Sequence, residues 1–321
     1  MRVAAIDIGS NSVRLLVADV PVGRSWGGPI ATLARAGEVC RLGRGLHETG
    51  RIAEDLIERA SEITREFARR ARSLGAVHVL AAATAALRSA ANGAEVAQRL
   101  GSSAGVPVRI LSGEDEACLV YRAVVLGLGQ RARESQCVVF DLGGGSTEVV
   151  SGVGQQPGRW NSIGFGAVSL TERLLPGDPP TAAALGTARD RIREELMREC
   201  ALMPERTTLL AGVGGTVTVL ASIDRSLADY DPAELEGWYI ERTKVLATVD
   251  RVARMTYAER RSLPIMGEGR ADIIGAGALV VEALVERFDA PGLVCSTQGL
   301  RYGLARLAAE EWQRENAPDR G

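Results

Sequence analysis

Residues 137–150 read CVVFDLGGGSTEVV, and the rest of the chain can be interpreted from this stretch outward. An apolar run ends at Asp141, passes through a glycine-rich turn, and becomes apolar again after Glu148. Glycines without a Cβ let the backbone take positive φ and approach a bound group closely. The pattern therefore predicts a strand, a tight turn and a second strand.

The turn has the composition of a phosphate cradle. Its backbone N–H groups and hydroxyls can bind phosphate oxygens, and the carboxylates at its two ends are the hard ligands that Mg²⁺ or another divalent cation prefers. We predict phosphate binding at Gly143, Gly144, Gly145, Ser146 and Thr147, and metal binding at Asp141 and Glu148.

The N-terminus carries a partial second copy of this unit. A short strand ends at Asp7, a polar turn follows, and a second strand runs over residues 13–20. Alignment of the copies puts Asp7 on Asp141 and Ser12 on Ser146. Such a duplication suggests two related domains that face each other, each with one phosphate loop. We predict phosphate binding at Asp7, Gly9, Ser10, Asn11 and Ser12, with Asp7 as a further metal ligand.

Two more turns have anion-binding composition. Thr84 and Arg88 follow a predicted strand, where a hydroxyl and an arginine are well placed to meet an anion. A glycine-rich turn between a strand and a helix is a third potential site, because helix N-termini attract anions. Its residues are Gly214, Gly215 and Thr216.

Three consecutive acids begin a predicted helix after Ser112. Ser112 and Asp115 have the spacing of a capping box, and acids stabilise the positive end of a helix. Capping explains two of the three acids, so Glu116 is left as a candidate catalytic base.

Composition limits the classes of partner. The chain has 321 residues, 46% of them hydrophobic and 24% charged, which fits two domains with real cores. The formal net charge of -2 argues against a general nucleic-acid or membrane-surface binder. No apolar run is long enough to span a bilayer.

The cysteines predict an intracellular protein. They are five in number and widely spaced, they include no C-x-x-C pair, and the only histidines are His47 and His78. A zinc site or a disulfide framework is therefore not expected. Buried free thiols in a reducing cytoplasm fit this pattern best.

The domain boundary is predicted between residues 125 and 126, before a polar, glycine-bearing segment. Domain I (1–125) would carry the first phosphate loop, and domain II (126–321) the second. The last helix, from Leu300 to Trp312, has the alternative of packing back on domain I.

The glycine turns together favour phosphate chemistry, and the absence of a G-x-x-x-x-G-K-S/T motif excludes a P-loop NTPase. The arrangement resembles the duplicated α/β fold of actin, sugar kinases and Hsp70, a ribonuclease H-like fold with a cleft between two domains. Together with the first aspartate–glycine turn, Asp7 to Ser12, five blocks of the sequence resemble the exopolyphosphatase/guanosine pentaphosphate phosphohydrolase (Ppx/GppA) family. They are Ala83-Thr84 through Arg88 to Asn92-Gly93, Ser112 to Ala117, Asp141 to Glu148, Arg270 to Ile274 and Gly299 to Gly303.

The resemblance implies hydrolysis of the terminal phosphoanhydride of inorganic polyphosphate, with Glu116 as catalytic glutamate and a metal and phosphate role for Asp141 and Glu148. Glu148 is also predicted to be catalytic, beside Glu116. The short, two-domain type and the absence of a strongly basic chain imply a preference for short polymers, and the family implies a homodimer. Asp115 stands where the family commonly has Glu, and residues 295–299 also depart from the family pattern. The alternatives are a guanosine pentaphosphate phosphohydrolase, a kinase or ATPase of the same fold, and a non-catalytic sensor.

Overall fold

The computed structural model describes residues 1–21, 23, 26–266 and 269–316. Its contacts divide the chain into two compact units, which are residues 1–112 together with 300 onward, and Gly113–Gly299. None of the described helices is both long enough and apolar enough to cross a membrane.

The first unit is built on one mixed sheet covered by helices. Its strands lie in the order β3-β2-β1-β4-β5, with β1 antiparallel to β2 and parallel to β4. Its elements are β1 (Arg2–Ile8), β2 (Ser12–Asp19), β3 (Ala31–Val39), α1 (Leu46–Thr49), α2 (Glu54–Ser73), β4 (His78–Ala83), α3 (Ala85–Ser89), α4 (Gly93–Ala104) and β5 (Val108–Ile110).

The second unit repeats this plan with additions. Its sheet has the order β10-β11-β9-β6-β7-β8. Its elements are α5 (Gly113–Gly127), α6 (Gln130–Arg133), β6 (Gln136–Leu142), β7 (Thr147–Val153), β8 (Gln156–Ile163), α7 (Ala167–Leu174), α8 (Ala182–Glu199), β9 (Leu209–Val213), α9 (Gly215–Asp224), α10 (Pro232–Leu235), β10 (Tyr239–Glu241), α11 (Arg242–Arg254), α12 (Tyr257–Arg261), α13 (Ile274–Arg287) and β11 (Gly292–Cys295). The last helix, α14 (Leu300–Glu315), belongs to the first unit.

Each of the five strands of the first sheet has a counterpart in the second sheet, which has β10 in addition. In each unit an antiparallel hairpin leads to a third antiparallel strand, and the hairpin's first strand lies parallel to the next one in the sheet. Thus β1 corresponds to β6, β2 to β7, β3 to β8, β4 to β9 and β5 to β11. The duplicated, actin-like α/β fold predicted from the two aspartate–glycine turns is confirmed.

The boundary between the two units lies between Ser112 and Gly113, earlier than the boundary at residues 125 and 126 that the sequence predicted. Helix α5 packs on β6, β7 and β8, so Glu116 lies in the second unit rather than in the first 125 residues. Helix α14 packs on β1, β2 and β4, as the alternative placement of the last helix proposed. The final residues of the predicted second domain, 317–321, lie outside the described residues.

Strand β1 shows how the core of the first unit is built. Ala4, Ile6 and Ile8 are buried in a cluster with α2 and α4. Val3 and Ala5 alternate with them along the strand and are also fully buried, and α14 packs on β1 as well. A strand covered on both faces needs a continuous apolar sequence, which this one has.

All five cysteines are free, and four are buried while Cys118 is partly exposed. Burial raises the pKa of the Cys40 thiol to about 11, so this side chain stays protonated and packs as an apolar group. The predicted free, mainly buried thiols are confirmed.

The Asn92-Gly93 pair fixes the turn between α3 and α4. The Asn92 amide accepts a hydrogen bond from the Ile52 N–H (2.9 Å) and donates one to the Ile52 carbonyl (3.0 Å). A Cβ on Gly93 would stand 1.9 Å from the Leu87 carbonyl oxygen. These two residues therefore have a packing role that holds α3, and with it Arg88, in place.

Substitution of Gly93 by alanine is expected to destabilise the protein, because the clash is with backbone that cannot move without displacing α3. We expect a loss of about 1–3 kcal/mol, the usual range for overpacking. Gly186 is the matched control, since it lies inside α8 and a Cβ there would meet no atom within 4 Å. Gly186→Ala should stabilise by about 0.5–1 kcal/mol through helix propensity.

Urea midpoints of the two variants test this prediction. The midpoint should fall for Gly93→Ala and rise slightly for Gly186→Ala. An unchanged midpoint for Gly93→Ala would show that the α3–α4 turn yields easily.

Candidate functional site

The two aspartate–glycine turns have the same backbone geometry. The Gly9 N–H donates to the Ser12 carbonyl at 3.0 Å, and the Gly143 N–H donates to the Ser146 carbonyl at 3.1 Å. A Cβ would stand 3.3 Å from the same carbonyl oxygen at Gly9 and 3.2 Å from it at Gly143. The aligned glycines thus close equivalent turns, one in each unit.

In the second unit, strand register brings three polar side chains into one row. Asp141 lies opposite Glu148 across β6 and β7, and Glu148 lies opposite Ser162 across β7 and β8. Directly opposed residues in antiparallel strands project from the same face, with Cβ atoms about 4.5–5.5 Å apart. Asp141, Glu148 and Ser162 are therefore neighbours on one face of the sheet.

Glu148 is held by hydroxyl groups. Ser146 and Ser162 each donate to its Oε1 atom at 2.7 Å. The Glu148 side chain is almost completely buried, with 2% of the residue exposed. A buried carboxylate is tolerated only when hydrogen bonds or cations compensate for its lost hydration, and the two serines supply part of that compensation.

Helix α5 brings Glu116 to the same part of the second unit. Gly113, its first residue, lies against β8, where a Cβ would be 2.8 Å from the Ser162 Cβ. Glu116 lies three residues further along, at the end of the same first turn, and a helical side chain covers the turn N-terminal to its own Cα. Glu116, which is 5% exposed, therefore lies over the turn that contacts Ser162, the serine bonded to Glu148.

Thr147 differs from its neighbours in the glycine turn. It is fully buried, and its hydroxyl donates to the Phe165 carbonyl at 2.8 Å. That bond ties the start of β7 to the segment before α7.

The third glycine turn lies beside the turn between β6 and β7. A Cβ on Gly214 (φ 109°) would stand 2.5 Å from the carbonyl oxygen of Leu142, the last residue of β6. The Arg270 side chain lies over Gly215, and Thr216 is buried against Gly277 of α13. Gly214 and Gly215 thus adjoin the Asp141–Glu148 turn, while the Thr216 hydroxyl packs between helices.

In the first unit, β1 and β4 bring the predicted residues together. The Thr84 N–H donates to the Ile8 carbonyl at 3.2 Å, which places Thr84 beside the Gly9–Ser12 turn. Arg88 follows one turn later and donates to the Leu111 carbonyl at 3.1 Å. Asp7, Thr84 and the turn therefore lie at adjoining strand ends.

The charge around Asp7 differs from that around Asp141. Asp7 lies opposite Arg14, the position that Glu148 occupies in the second unit. Burial raises the pKa of the Asp7 carboxyl, and the positive charges of Arg14 and Arg301 oppose that rise. The first loop thus has cationic neighbours where the second has an acid.

Residues 296–298 form a turn held by a carboxylate. Glu236 accepts hydrogen bonds from the Ser296 hydroxyl (2.9 Å), the Thr297 N–H (2.5 Å) and the Thr297 hydroxyl (2.7 Å). The Gln298 side chain lies against Gly127 at the end of α5. The segment that departs from the family pattern thus has a structural role in the second unit.

Ser162 and Gly166 were not predicted from the sequence as site residues, and β8 was not predicted as a strand. Gln156-Pro157-Gly158 begins β8, and these residues favour a turn. Proline is nevertheless tolerated at the start of a strand and on an edge strand, and β8 is both the edge of its sheet and the counterpart of β3. If the duplicated unit had been extended by one strand, from two strands to three, the sequence would have predicted β8 as the counterpart of β3.

The metal prediction concerns Asp141, Glu148 and Asp7. Among the described residues, no group of three or more His, Cys, Asp or Glu side chains is arranged to hold a metal ion. Mg²⁺ usually takes only one or two protein carboxylates and completes its shell with water and phosphate oxygens. The paired Asp141 and Glu148, within the second unit, therefore fit such an ion.

Comparisons with known proteins give one consistent family. The model of the Ppx/GppA phosphatase family matches residues 21–309. Exopolyphosphatase 2 of Mycobacterium tuberculosis is 37% identical over 95% of this chain and 97% of its own. A crystal structure of an exopolyphosphatase-like protein matches with a TM-score of 0.89 and 29% identity, over 97% of this chain and 98% of its own.

A crystal structure of the Aquifex aeolicus Ppx/GppA member is also similar. It has a TM-score of 0.80 and 32% identity, and the match covers 98% of this chain and 99% of that one. The family match and these similarities extend over nearly the whole sequence. The chain belongs to the Ppx/GppA phosphatase family.

Proposed function

We propose that this chain is an exopolyphosphatase that hydrolyses the terminal phosphoanhydride of inorganic polyphosphate and releases orthophosphate. The observation that carries the proposal is the grouping of two buried acids, Glu116 and Glu148, around a glycine turn in one compact unit. The names of the M. tuberculosis relative and of the exopolyphosphatase-like structure support it.

The glycine turn would hold the anionic phosphoryl group. Within the described chain, the N–H groups of Gly144 and Gly145 have no carbonyl or side-chain acceptor. Unpaired N–H groups in a turn attract anions, and donors fixed before the substrate binds stabilise charge that develops in the transition state. The Gly9–Ser12 turn, Thr84 and Arg88 would bind phosphate in the first unit, and Gly214 and Gly215 would add donors in the second.

Glu116 would orient and deprotonate the attacking water. Phosphoryl transfer depends mainly on positioning and electrostatic stabilisation, so the protein must place a base beside the phosphorus atom. Glu116 has a fixed backbone in the first turn of α5, packed on β8 through Gly113. We therefore assign Glu116 the role of base, and Glu148, which accepts hydrogen bonds from two serines, a role in metal binding.

Asp141 and Glu148 would hold Mg²⁺ or another divalent cation. When bound, this ion would neutralise negative charge on the phosphate oxygens. Asp7 was also predicted as a ligand, but Arg14 and Arg301 act on it from within its own unit and would compete with a cation. We therefore propose Asp141 and Glu148 as the main ligands.

A homodimer and a cytoplasmic location stay predictions from the sequence. Sedimentation of the purified chain would test the first, and cell fractionation the second.

Glu116→Gln should lower phosphate release from polyphosphate by roughly 10²-fold or more, the usual contribution of a general base. Binding of tripolyphosphate, measured by calorimetry, should remain, because the amide keeps the shape of the side chain. Near-normal turnover would overturn the assignment of the base.

Glu114→Gln is the matched control for this variant. Glu114 lies in the same first turn of α5 but is exposed, whereas Glu116 is buried. Its substitution should leave turnover nearly unchanged, because this exposed acid contributes only about 0.3–1 kcal/mol to the stability of the helix N-terminus and takes no part in the reaction.

Asp141→Asn and Glu148→Gln should weaken divalent-ion binding by roughly tenfold or more, in the range seen when groups around a metal site are removed. Titration with Mn²⁺, followed by electron paramagnetic resonance, measures this directly. Asp190→Asn, an exposed change on α8, should bind Mn²⁺ as the wild type does. Equal Mn²⁺ affinity in all three variants would exclude Asp141 and Glu148 as ligands.

A comparison of substrates on one enzyme preparation identifies the substrate. Phosphate release is measured from polyphosphates of graded length and from guanosine pentaphosphate. We expect polyphosphate to be preferred, and short chains over long ones, because a chain with a formal net charge of -2 offers little general attraction to a long polyanion. Faster release from guanosine pentaphosphate would make the chain a guanosine pentaphosphate phosphohydrolase. Phosphorylation of a small metabolite by ATP, without polyphosphate hydrolysis, would indicate a kinase.

A further inference from the structure

The first turn of α7 donates its N–H groups to the second phosphate loop. The Ala167 N–H binds the Gly143 carbonyl at 2.9 Å. The N–H groups of Val168 and Ser169 bind the Gly144 carbonyl at 2.9 and 3.2 Å. Helix N–H groups that normally lack a partner are therefore used to fix two successive carbonyls of the loop.

These bonds determine where the loop's own N–H groups point. In a trans peptide the C=O of one residue and the N–H of the next point in opposite directions. The only cis peptide bond among the described residues is Asp178-Pro179. Because the carbonyls of Gly143 and Gly144 point to α7, the N–H groups of Gly144 and Gly145 point away from it.

Gly166 allows the loop to lie this close to the first turn of α7. A Cβ on Gly166 would stand 2.6 Å from both the Gly143 and Gly144 carbonyl oxygens, so any larger residue would push the loop off α7. Gly166 also caps the helix, since its N–H donates to the Ser169 hydroxyl at 2.9 Å. The contact is therefore between backbone atoms and is close enough to require glycine.

The first unit has a similar arrangement, in which the carbonyls that are held lie one residue further along the loop, since Ser10 aligns with Gly144 and Asn11 with Gly145. After β3, the Gly43 N–H donates to the Ser10 carbonyl at 2.8 Å. The Cys40 and Arg41 N–H groups donate to the Asn11 carbonyl at 3.0 and 2.9 Å. Arg41 takes a positive φ of 56° to do so, a conformation that costs free energy in a non-glycine residue and persists only where its surroundings enforce it.

We infer that the segment after the third strand of each unit, residues 40–43 and 166–169, orients the phosphate-binding N–H groups of that unit's loop. Gly166 and Ala167 are then positioning residues for the second loop. The first turn of α7 also carries the positive end of the helix dipole, and hydrogen bonds polarise the peptides that they join. The loop N–H groups become stronger donors as well as better directed ones. This inference rests on the proposed function.

Ala167→Pro removes one donor and leaves the helix intact. Ala167 is the first residue of α7, a position where proline is favoured. Gly166, before it, is extended (φ -148°, ψ -173°), as the residue before a proline should be. With the Gly143 carbonyl released, tripolyphosphate should bind about tenfold or more weakly, since hydrogen bonds to charged groups contribute about 1.5–3 kcal/mol.

Two control variants separate this effect from general damage. Ala182→Pro makes the same change at the first residue of α8, behind the extended Thr181. Gly164→Ala places a Cβ in open space two residues before Gly166. Both controls should bind tripolyphosphate as the wild type does, whereas Gly166→Ala should bind it as weakly as Ala167→Pro.

Calorimetry of tripolyphosphate binding without added divalent cation, together with melting temperatures, gives the result. Weak binding in Ala167→Pro and Gly166→Ala, with melting temperatures near that of the wild type, supports the inference. Unchanged binding in both, or equal loss in the controls, overturns it. A wild type that neither binds nor hydrolyses polyphosphate would instead count against the proposed function.

A measurement on the wild type keeps the inference testable if the proline variant does not fold. With ¹⁵N-glycine labelling, tripolyphosphate should move the amide protons of Gly144 and Gly145 downfield, as new hydrogen bonds do. The Gly166 amide, already bonded to Ser169, should stay in place. Absence of a downfield shift at Gly144 and Gly145 would overturn the inference.

Discussion

The register of three antiparallel strands is the constraint on which the candidate site depends. Asp141, Glu148 and Ser162 come from β6, β7 and β8 and lie directly opposite one another. Because side chains alternate between the two faces of a sheet, a slip of one residue would send Glu148 to the other face. The Gly143 to Ser146 bond closes the turn at the length that fixes this register. The glycine turn therefore sets the strand pairing as well as offering N–H groups.

The same register in the first unit has a different outcome. Asp7 lies opposite Arg14, and Arg14 lies opposite Gly37. The row that reads acid, acid, serine in the second unit thus reads acid, arginine, glycine in the first. Two adjacent carboxylates favour a bound cation, whereas a carboxylate beside an arginine is already compensated. The duplication preserved the backbone of the turn, and the side chains around it came to favour different charges.

Much of the fold and part of the candidate site could be predicted from the sequence, because those parts depend on local patterns. Asp141 to Glu148 and Asp7 to Ser12 have a glycine-turn pattern that requires little tertiary context. Glu116 stood out as an acid beyond the needs of a helix cap. The unit to which Glu116 belongs could not be read in this way, because it depends on α5 packing against β6, β7 and β8. Ser162 and Gly166 were missed for the same reason, since each acts only through residues brought near by folding.

The missed residues show what kind of information a local pattern lacks. A glycine such as Gly143 is recognisable because its own turn requires it, whereas Gly166 is required by the carbonyls of Gly143 and Gly144. Likewise, the hydroxyl of Ser162 has meaning only because strand pairing places it on Glu148. The acids that would perform the chemistry carry a signal in their own segments, but the groups that orient them belong to neighbouring elements. If β3 and residues 40–43 of the first unit had been aligned with the second unit, both β8 and residues 166–169 would have been located. In each unit the segment after the third strand directs the N–H groups of the loop.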